Sequence, residues 1–314
     1  MSAPIVWMDR TGRLSPLHEA LADWSHLRFS PDGGRLAMDV TDAAGNTDVW
    51  VYDLSRGDLA RATTHAGADI EPTWTPDGQR LVFGSTREDA TTNLYWQRAD
   101  GTGGVQRLTR SDHHQYGGSS WHPSGRLLAF TDVDPQTGSD LMILPIDGDE
   151  RTGWTPATPT VFLRTAANEL QPSLSPDGRW LAYISDESGQ YEVYVQPFPG
   201  PGVRSKISNG GAYYYSVVVW SKHRDELLFA TADQRVMTVP YTVADGSFRA
   251  DRPGPWGDRP FLRLPRGGTF DLHRDGGRIA IGAAPEMTAP ATADRVVFVF
   301  NFFHDLQRLA PPAK

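Results

Sequence analysis

Leu174-Ser175-Pro176-Asp177-Gly178-Arg179-Trp180-Leu181-Ala182-Tyr183-Ile184-Ser185 is the stretch whose reading decides the fold. Pro176 presets φ for the first turn position, Asp177 tolerates the second, and Gly178 supplies the φ > 0 position that closes a tight hairpin. Trp180–Ser185 then reads as one strand and Glu192–Gln196 as the next, both rich in aromatic and β-branched residues.

The turn recurs as Ser30-Pro31-Asp32-Gly33, Thr75-Pro76-Asp77-Gly78 and His122-Pro123-Ser124-Gly125. Two degenerate copies follow, at Ser221-Lys222-His223-Arg224 and His273-Arg274-Asp275-Gly276. From Pro31 to Arg274 the aligned residues step by 45, 47, 53, 46 and 52. Each copy keeps one order: short strand, turn, Leu-Ala-Phe-like strand, loop, Asp-Val-Tyr-Val-like strand. Four-stranded units repeating at about 40–50 residues are the sequence form of a β-propeller. Six turns predict six blades in one all-β domain over residues 1–314.

The predicted blades run Trp24–Ala62, Asp69–Thr109, Tyr116–Leu163, Glu169–Ile207 and Tyr214–Leu264, the sixth starting near Thr269. Asp147–Pro159 is rich in Pro, Thr and Gly and reads as a surface loop, and Asp245–Pro260 reads as a second excursion. No turn copy precedes Ile5–Asp9. That orphan strand is expected to close the ring in the last blade, beside Arg295–Phe300, because closure removes the exposed sheet edge. Phe302, Leu306 and Leu309 fall at helical spacing, which predicts a short C-terminal helix.

Composition narrows the function. A net charge of −8 argues against nucleic acid as a partner, and no window carries the roughly 18–20 apolar residues of a membrane helix. The chain contains no cysteine, which excludes disulfides, thiolate metal sites and cysteine nucleophiles. The N-terminus has no charged and apolar signal regions, so the chain reads as soluble and cytoplasmic as written.

The Ser-Pro-Asp-Gly-Arg-x-Leu-Ala-Phe/Tyr repeats, each followed by an Asp-Val-Trp-Val-Tyr-Asp-type strand, resemble the WD-repeat-like blades of TolB-like proteins. Three segments resemble one subgroup more narrowly: Ile5-Val-Trp-Met-Asp-Arg-Thr-Gly-Arg13, Glu192-Val-Tyr-Val-Gln-Pro-Phe-Pro-Gly-Pro-Gly202 and Asn301-Phe-Phe-His-Asp-Leu-Gln-Arg-Leu-Ala-Pro311. That subgroup is the propeller found C-terminal to bacterial receptor-type serine/threonine kinases. The resemblance covers about residues 5–311 and implies a sensor or signalling domain, periplasmic or extracellular if it is excised from such a receptor. The kinase itself is missing: there is no Gly-rich phosphate loop and no Asp-Phe-Gly. His-Arg-Asp occurs at 223–225 and 273–275, in propeller turns, without the Asn that a kinase catalytic loop places five residues after the Asp.

A propeller ligand is expected over the central channel, near the start of the innermost strands, where six segments converge. Counting back from each turn gives Trp24 and His26, Glu71 beside Asp69, His114 and Tyr116, Glu169 and Gln171, Tyr214 and Tyr215, and Arg266. Arg87, Asp132, Asp186 and Glu187 form the next ring out. In the plainest reading these side chains only hydrate the channel, with carboxylates paired to Arg87 or Arg266. The leading functional reading is a non-catalytic module binding a protein or small ligand at the channel mouth. The alternative is a hydrolase or lyase acting on a carbohydrate or lactone, with Glu71 and Glu169, together with His26 or His114, as acid–base groups or metal ligands. No cofactor is expected, a divalent cation in the channel being the one exception left open. There is no Gly-x-Ser-x-Gly, His-Glu-x-x-His or Gly-x-Gly-x-x-Gly motif to name a specific chemistry.

Overall fold

A computed structural model of the chain describes residues 3–149, 151–257 and 270–282. Among them there is no helix, and none long and apolar enough to cross a membrane. The segments 295–300 and 301–309, expected as a last strand and a helix, lie outside the described residues.

The first strands are β1 (Ala3–Asp9), β2 (Leu14–Phe29), β3 (Arg35–Thr41), β4 (Thr47–Asp53) and β5 (Asp58–Arg61). A second sheet follows with β6 (Asp69–Trp74), β7 (Arg80–Ser85), β8 (Asn93–Arg98) and β9 (Gln106–Arg107), paired in that order. The third has β10 (His114–Trp121), β11 (Leu127–Asp134), β12 (Gly138–Asp149), β13 (Gly153–Pro156) and β14 (Thr160–Leu163). The fourth has β15 (Glu169–Leu174), β16 (Trp180–Ser185), β17 (Glu192–Pro197) and β18 (Ser205–Lys206). The fifth has β19 (Val219–Trp220), β20 (Glu226–Ala230), β21 (Val236–Ala244), β22 (Ser247–Ala250) and β23 (Gly254–Pro255). Last come β24 (Phe270–Leu272) and β25 (Arg278–Gly282).

The two ends of the described chain meet in one sheet. β1 pairs antiparallel with β25, Val6 opposite Ile281 and Trp7 opposite Ala280, and the sheet order is β24-β25-β1-β2-β3-β4-β5. The sixteen-residue β2 serves both halves of it: residues 14–22 pair with β1, with two shifts of register, and residues 23–29 pair with β3. Ile5–Met8 therefore lies beside Arg278–Gly282, the segment the repeat places one strand before Arg295–Phe300.

The turns form as their residues dictate. In Ser175–Gly178 the N–H of Gly178 donates to Ser175 O at 2.9 Å, and Gly178 has φ 71°. The Ser175 hydroxyl donates to Asp177 Oδ1 at 2.6 Å, and Arg179 N donates to the same oxygen. Glycine is needed for a second reason. A Cβ on Gly178 would run into the imidazole of His122, from the preceding sheet's turn, and one on Gly33 would meet His273 Nε2 at 2.9 Å. The turns nest against each other around the molecule.

Both faces of the middle strands are buried, which explains their unbroken apolar runs. Leu181 and Tyr183 pack back onto Ala129, Leu141 and Ile143, while Trp180, Ala182 and Ile184 pack forward onto Trp220, Leu227 and Phe229. Full burial of one such side chain contributes about 1.5–3 kcal/mol. Among the described residues five such clusters link one sheet to the next, and a sixth packs Ile5, Trp7 and Ala280 against Trp24, Leu36 and Met38 between the two halves of the seven-stranded sheet.

The recurrent acid at the third strand's start is a clamp. Buried Asp48 accepts from Thr63 Oγ1 at 3.1 Å, and Thr63 Oγ1 in turn accepts from Val49 N at 2.9 Å. Glu192 repeats this with Ser208, whose hydroxyl accepts from Val193 N at 2.7 Å. Each clamp fixes the segment leading to the next sheet.

Two expectations are corrected here. Asp147–Pro159 is not a loop: Ile146–Asp149 pairs with Gly153–Pro156 as a hairpin, because Trp154 finds an apolar seat edge-on to Trp96 at 5.7 Å. The described part of the second excursion likewise adds β22 and β23 to β21, with Phe248 buried.

Candidate functional site

The innermost strands β2, β6, β10 and β15 share one irregularity. Each breaks register just before its turn, between Ser25 and Arg28, Ile70 and Thr73, Tyr116 and Ser120, and Leu170 and Ser173. The extra residues form β-bulges, which re-aim side chains and favour functional rims. His26, Glu71 and Gln171 occupy the bulges with φ of 50°, 55° and 54°. Left-handed backbone is uncommon away from glycine and is retained where surrounding structure demands it. Counting five residues back from each turn proline, Gly118 holds the same place in β10.

Two of these residues meet. His26 Nδ1 lies 2.8 Å from Asp39 Oδ1, and His26 Nε2 lies 3.4 Å from Glu71 Oε1, all three buried. Burial works against the imidazolium, but the carboxylates of Asp39 and Glu71 outweigh it and the His26 pKa is raised. The arrangement sets the imidazole between two carboxylates that favour its protonated form. Among the described residues no three His, Asp or Glu side chains converge as a metal-ligand set.

Beyond the bulges, toward the turns, the inner strands enclose a cavity of about 450 Å³. Its walls include Arg28, Thr73, Ser120, Ser173, Val219 and Asp271, each three residues before the aligned turn position. Trp74 and Trp121 flank it, and Pro31, Pro76, Pro123, Pro176 and Lys222 edge it. Gln171 and Val217 reach it from the bulge level. Burial raises the pKa of Asp271 against the pull of Arg28, and its Oδ2 and Oδ1 accept from Phe29 N and Leu272 N.

The strand-start end is aromatic. Tyr214 stacks on Tyr191 at 5.3 Å and lies against Tyr215 at 4.0 Å. The Tyr215 hydroxyl is pushed up to about 12 by burial and then by Tyr214, with Tyr116 close enough to add to the effect. Tyr214 and Tyr215 are exposed.

Of the residues picked from sequence, His26 and Glu71 come within 3.4 Å of each other, Gln171 lines the cavity, and Tyr116, Tyr214 and Tyr215 share the strand-start end. Trp24 does not face the channel: it is core, and its indole N–H donates to Ala3 O at 2.7 Å. Glu169 is fully buried against Thr165, with its pKa raised by burial although the Thr165 bond opposes. His114 is exposed and its Nδ1 accepts from Thr92 N at 3.2 Å. Arg266 lies outside the described residues. The next ring is engaged locally: Arg87 forks onto Asp69 at 2.9 and 3.0 Å, His113 meets Asp132 at 3.0 Å, and Asp186 holds Asn168. Glu187 pairs with Arg204 at 2.6 Å. Sequence reasoning missed Arg28, Ser120 and Asp271, which share one offset from the turn, and Lys222, which stands at the turn position itself.

Residues 25–156 match the TolB β-propeller domain family. A TolB-type protein of Agrobacterium tumefaciens superposes with a TM-score of 0.69 at 18% identity, covering 90% of this chain and 98% of that one. The chain has the fold of a TolB-like β-propeller. TolB of Acinetobacter baumannii is a further neighbour of the propeller, with TM-score 0.56 and 15% identity over 90% of this chain and 64% of that one. In sequence, the uncharacterized peptidase YuxL of Bacillus subtilis is 24% identical over 222 residues, 56% of this chain but 32% of YuxL. The propeller thus spans a minor part of that relative.

Proposed function

We propose that the chain is one six-bladed ring over residues 1–314, closed by β1 in the last blade, and that it is a non-catalytic sensor or interaction module. It takes a protein or small ligand over the central channel. The observation that carries this reading is the axial cavity, walled by the same position of successive inner strands and open at a size suited to ligands. Five apolar clusters linking one sheet to the next, and β2 pairing with β1 over its first half and β3 over its second, support the ring. The likeness of three segments to receptor-kinase propellers supports the sensor role.

A plug tests it. Ser120→Trp fills the cavity, and ligand-observed NMR against a mixed set of peptides, sugars and organic acids reads binding. Hits on the wild type that vanish in the plugged variant support the reading. Hits that survive the plug, or an absence of hits, defeat it.

The hydrolase or lyase reading keeps second place because Glu71 and His26 adjoin, and because YuxL is named a peptidase. Turnover of a lactone or glycoside panel that disappears in Glu71→Gln would replace the first reading with this one.

A further inference from the structure

We propose that the turn-side cavity is an anion site, in which Arg28 and Lys222 hold the carboxylate or phosphate group of a small ligand. This deepens the channel-binding reading and rests on it.

Arg28 is the one cation at its offset in the repeat, where other blades carry Thr73, Ser120, Ser173, Val219 and Asp271. Its guanidinium has five N–H donors, of which Nη1 donates to Leu27 O at 2.9 Å. Lys222, one of three lysines in the chain, replaces the turn proline and stands exposed at the cavity edge. Among the described residues neither cation has a carboxylate within ion-pair distance; at longer range Asp271, Glu71 and Asp39 favour the charged form of Arg28, and Lys222 acts on Asp271. Asp271 faces the same space, but each of its oxygens already accepts a backbone N–H, so its charge is partly spent on the fold.

Neutral donors point the same way. Ser120 Oγ accepts from Leu174 N at 2.9 Å, which leaves its hydrogen to donate into the cavity. Gln171 is nine-tenths buried, lines the cavity, and makes no hydrogen bond to the described residues. A side-chain amide at the wall offers a ligand two N–H donors and an acceptor. Trp74 and Trp121 supply flat apolar walls for the rest of the ligand. An anion with a compact organic or sugar body satisfies this set.

The test uses citrate, pyrophosphate and N-acetylglucosamine as carboxylate, phosphate and neutral probes, with calorimetry on the intact chain. The proteins are wild type, Lys222→Gln, Arg28→Gln, Arg28→Lys and the plugged Ser120→Trp. At least one anion is expected to bind, with affinity falling about tenfold in each Gln variant, the scale of a charge-assisted hydrogen bond. Arg28→Lys is expected to fall between. Preference for citrate or pyrophosphate assigns the head group. Lys222 is exposed, so its variant stays informative even if Arg28→Gln unfolds. Anion binding unchanged in Lys222→Gln, or binding of N-acetylglucosamine alone, overturns the anion site while the channel reading stands. No probe binding at all overturns the anion site, and binding unaffected by Ser120→Trp overturns the channel reading as well.

Discussion

The backbone N–H of Phe29 donates to Oδ2 of Asp271 at 2.7 Å, across 242 residues of sequence. The same joint recurs elsewhere in the ring: Leu174 N donates to Ser120 Oγ at 2.9 Å. In both, a side chain on one inner strand takes the backbone N–H of the next blade. Indoles tie the same strands, Trp74 Nε1 to Arg28 O and Trp220 Nε1 to Ser173 O, each at 3.0 Å. Neighbouring blades are therefore joined by hydrogen bonds at the rim of the cavity as well as by apolar packing, and Asp271–Phe29 joins the end of the described chain to its start.

Replacing Asp271 should open that joint. Asp271→Ala leaves the buried Phe29 N–H without an acceptor, at a cost of roughly 1–3 kcal/mol. Asp271→Asn keeps one acceptor oxygen and should lose less. Urea unfolding monitored by tryptophan fluorescence measures both. Equal midpoints for all three proteins would mean that the joint is incidental.

His26 makes stability depend on pH. Its folded pKa is raised above an unfolded value near about 6.5, so the protonated form binds its surroundings better in the fold. The stabilisation is fully present below that unfolded value and is lost as pH rises through the raised folded value. Asp39, Glu71 and Arg28 are the charged groups that set it. Unfolding free energies across pH 6–9 should fall more steeply for wild type than for His26→Gln. Parallel curves would assign the slope to other groups.

Turn glycines separate backbone strain from packing between blades. Gly125 and Gly178 have the same φ, 70° and 71°, but a Cβ on Gly125 meets nothing within 4 Å and one on Gly178 strikes His122. Gly125→Ala should cost about 1–2 kcal/mol, the left-handed penalty alone. Gly178→Ala should cost clearly more, and His122→Ala in the same chain should recover part of the difference. Thermal melts of the three variants decide it; matching losses for the two glycines would show that the turns do not nest.

The reach of the sequence follows from what each residue acts on. Pro176, Asp177 and Gly178 act on their own backbone, so turns and strands were legible wherever those types recur. Ile5–Asp9 was legible as a strand for the same local reason, its pattern having no turn of its own, and it pairs with Arg278–Gly282. The site was less legible. Its walls depend on bulges at 26, 71 and 171, and a bulge leaves no mark on period-two alternation. Counting from strand starts therefore chose Trp24 and Glu169, which are buried away from the cavity, and passed over Arg28 and Asp271. Trp154 shows the other gap: composition marked its segment a loop, while its pairing depends on Trp96, 58 residues earlier.

Arg87 and Asp69 give the severest expected loss. The Asp69 side chain is fully buried and Arg87 forks onto both of its oxygens, so removing the guanidinium strands a carboxylate inside the protein. Arg87→Met keeps most of the stem that lies over Phe83 and Tyr95 and should still cost about 3–5 kcal/mol. Changing both partners, Arg87→Met with Asp69→Leu, removes the stranded charge and should return much of that stability, because an apolar pair of similar volume replaces a buried ion pair at little cost. Chemical denaturation of the single and double variants reads the coupling. A double variant no more stable than Arg87→Met would show that Asp69 has a second partner, and that the carboxylate is required at the channel entrance for more than its arginine.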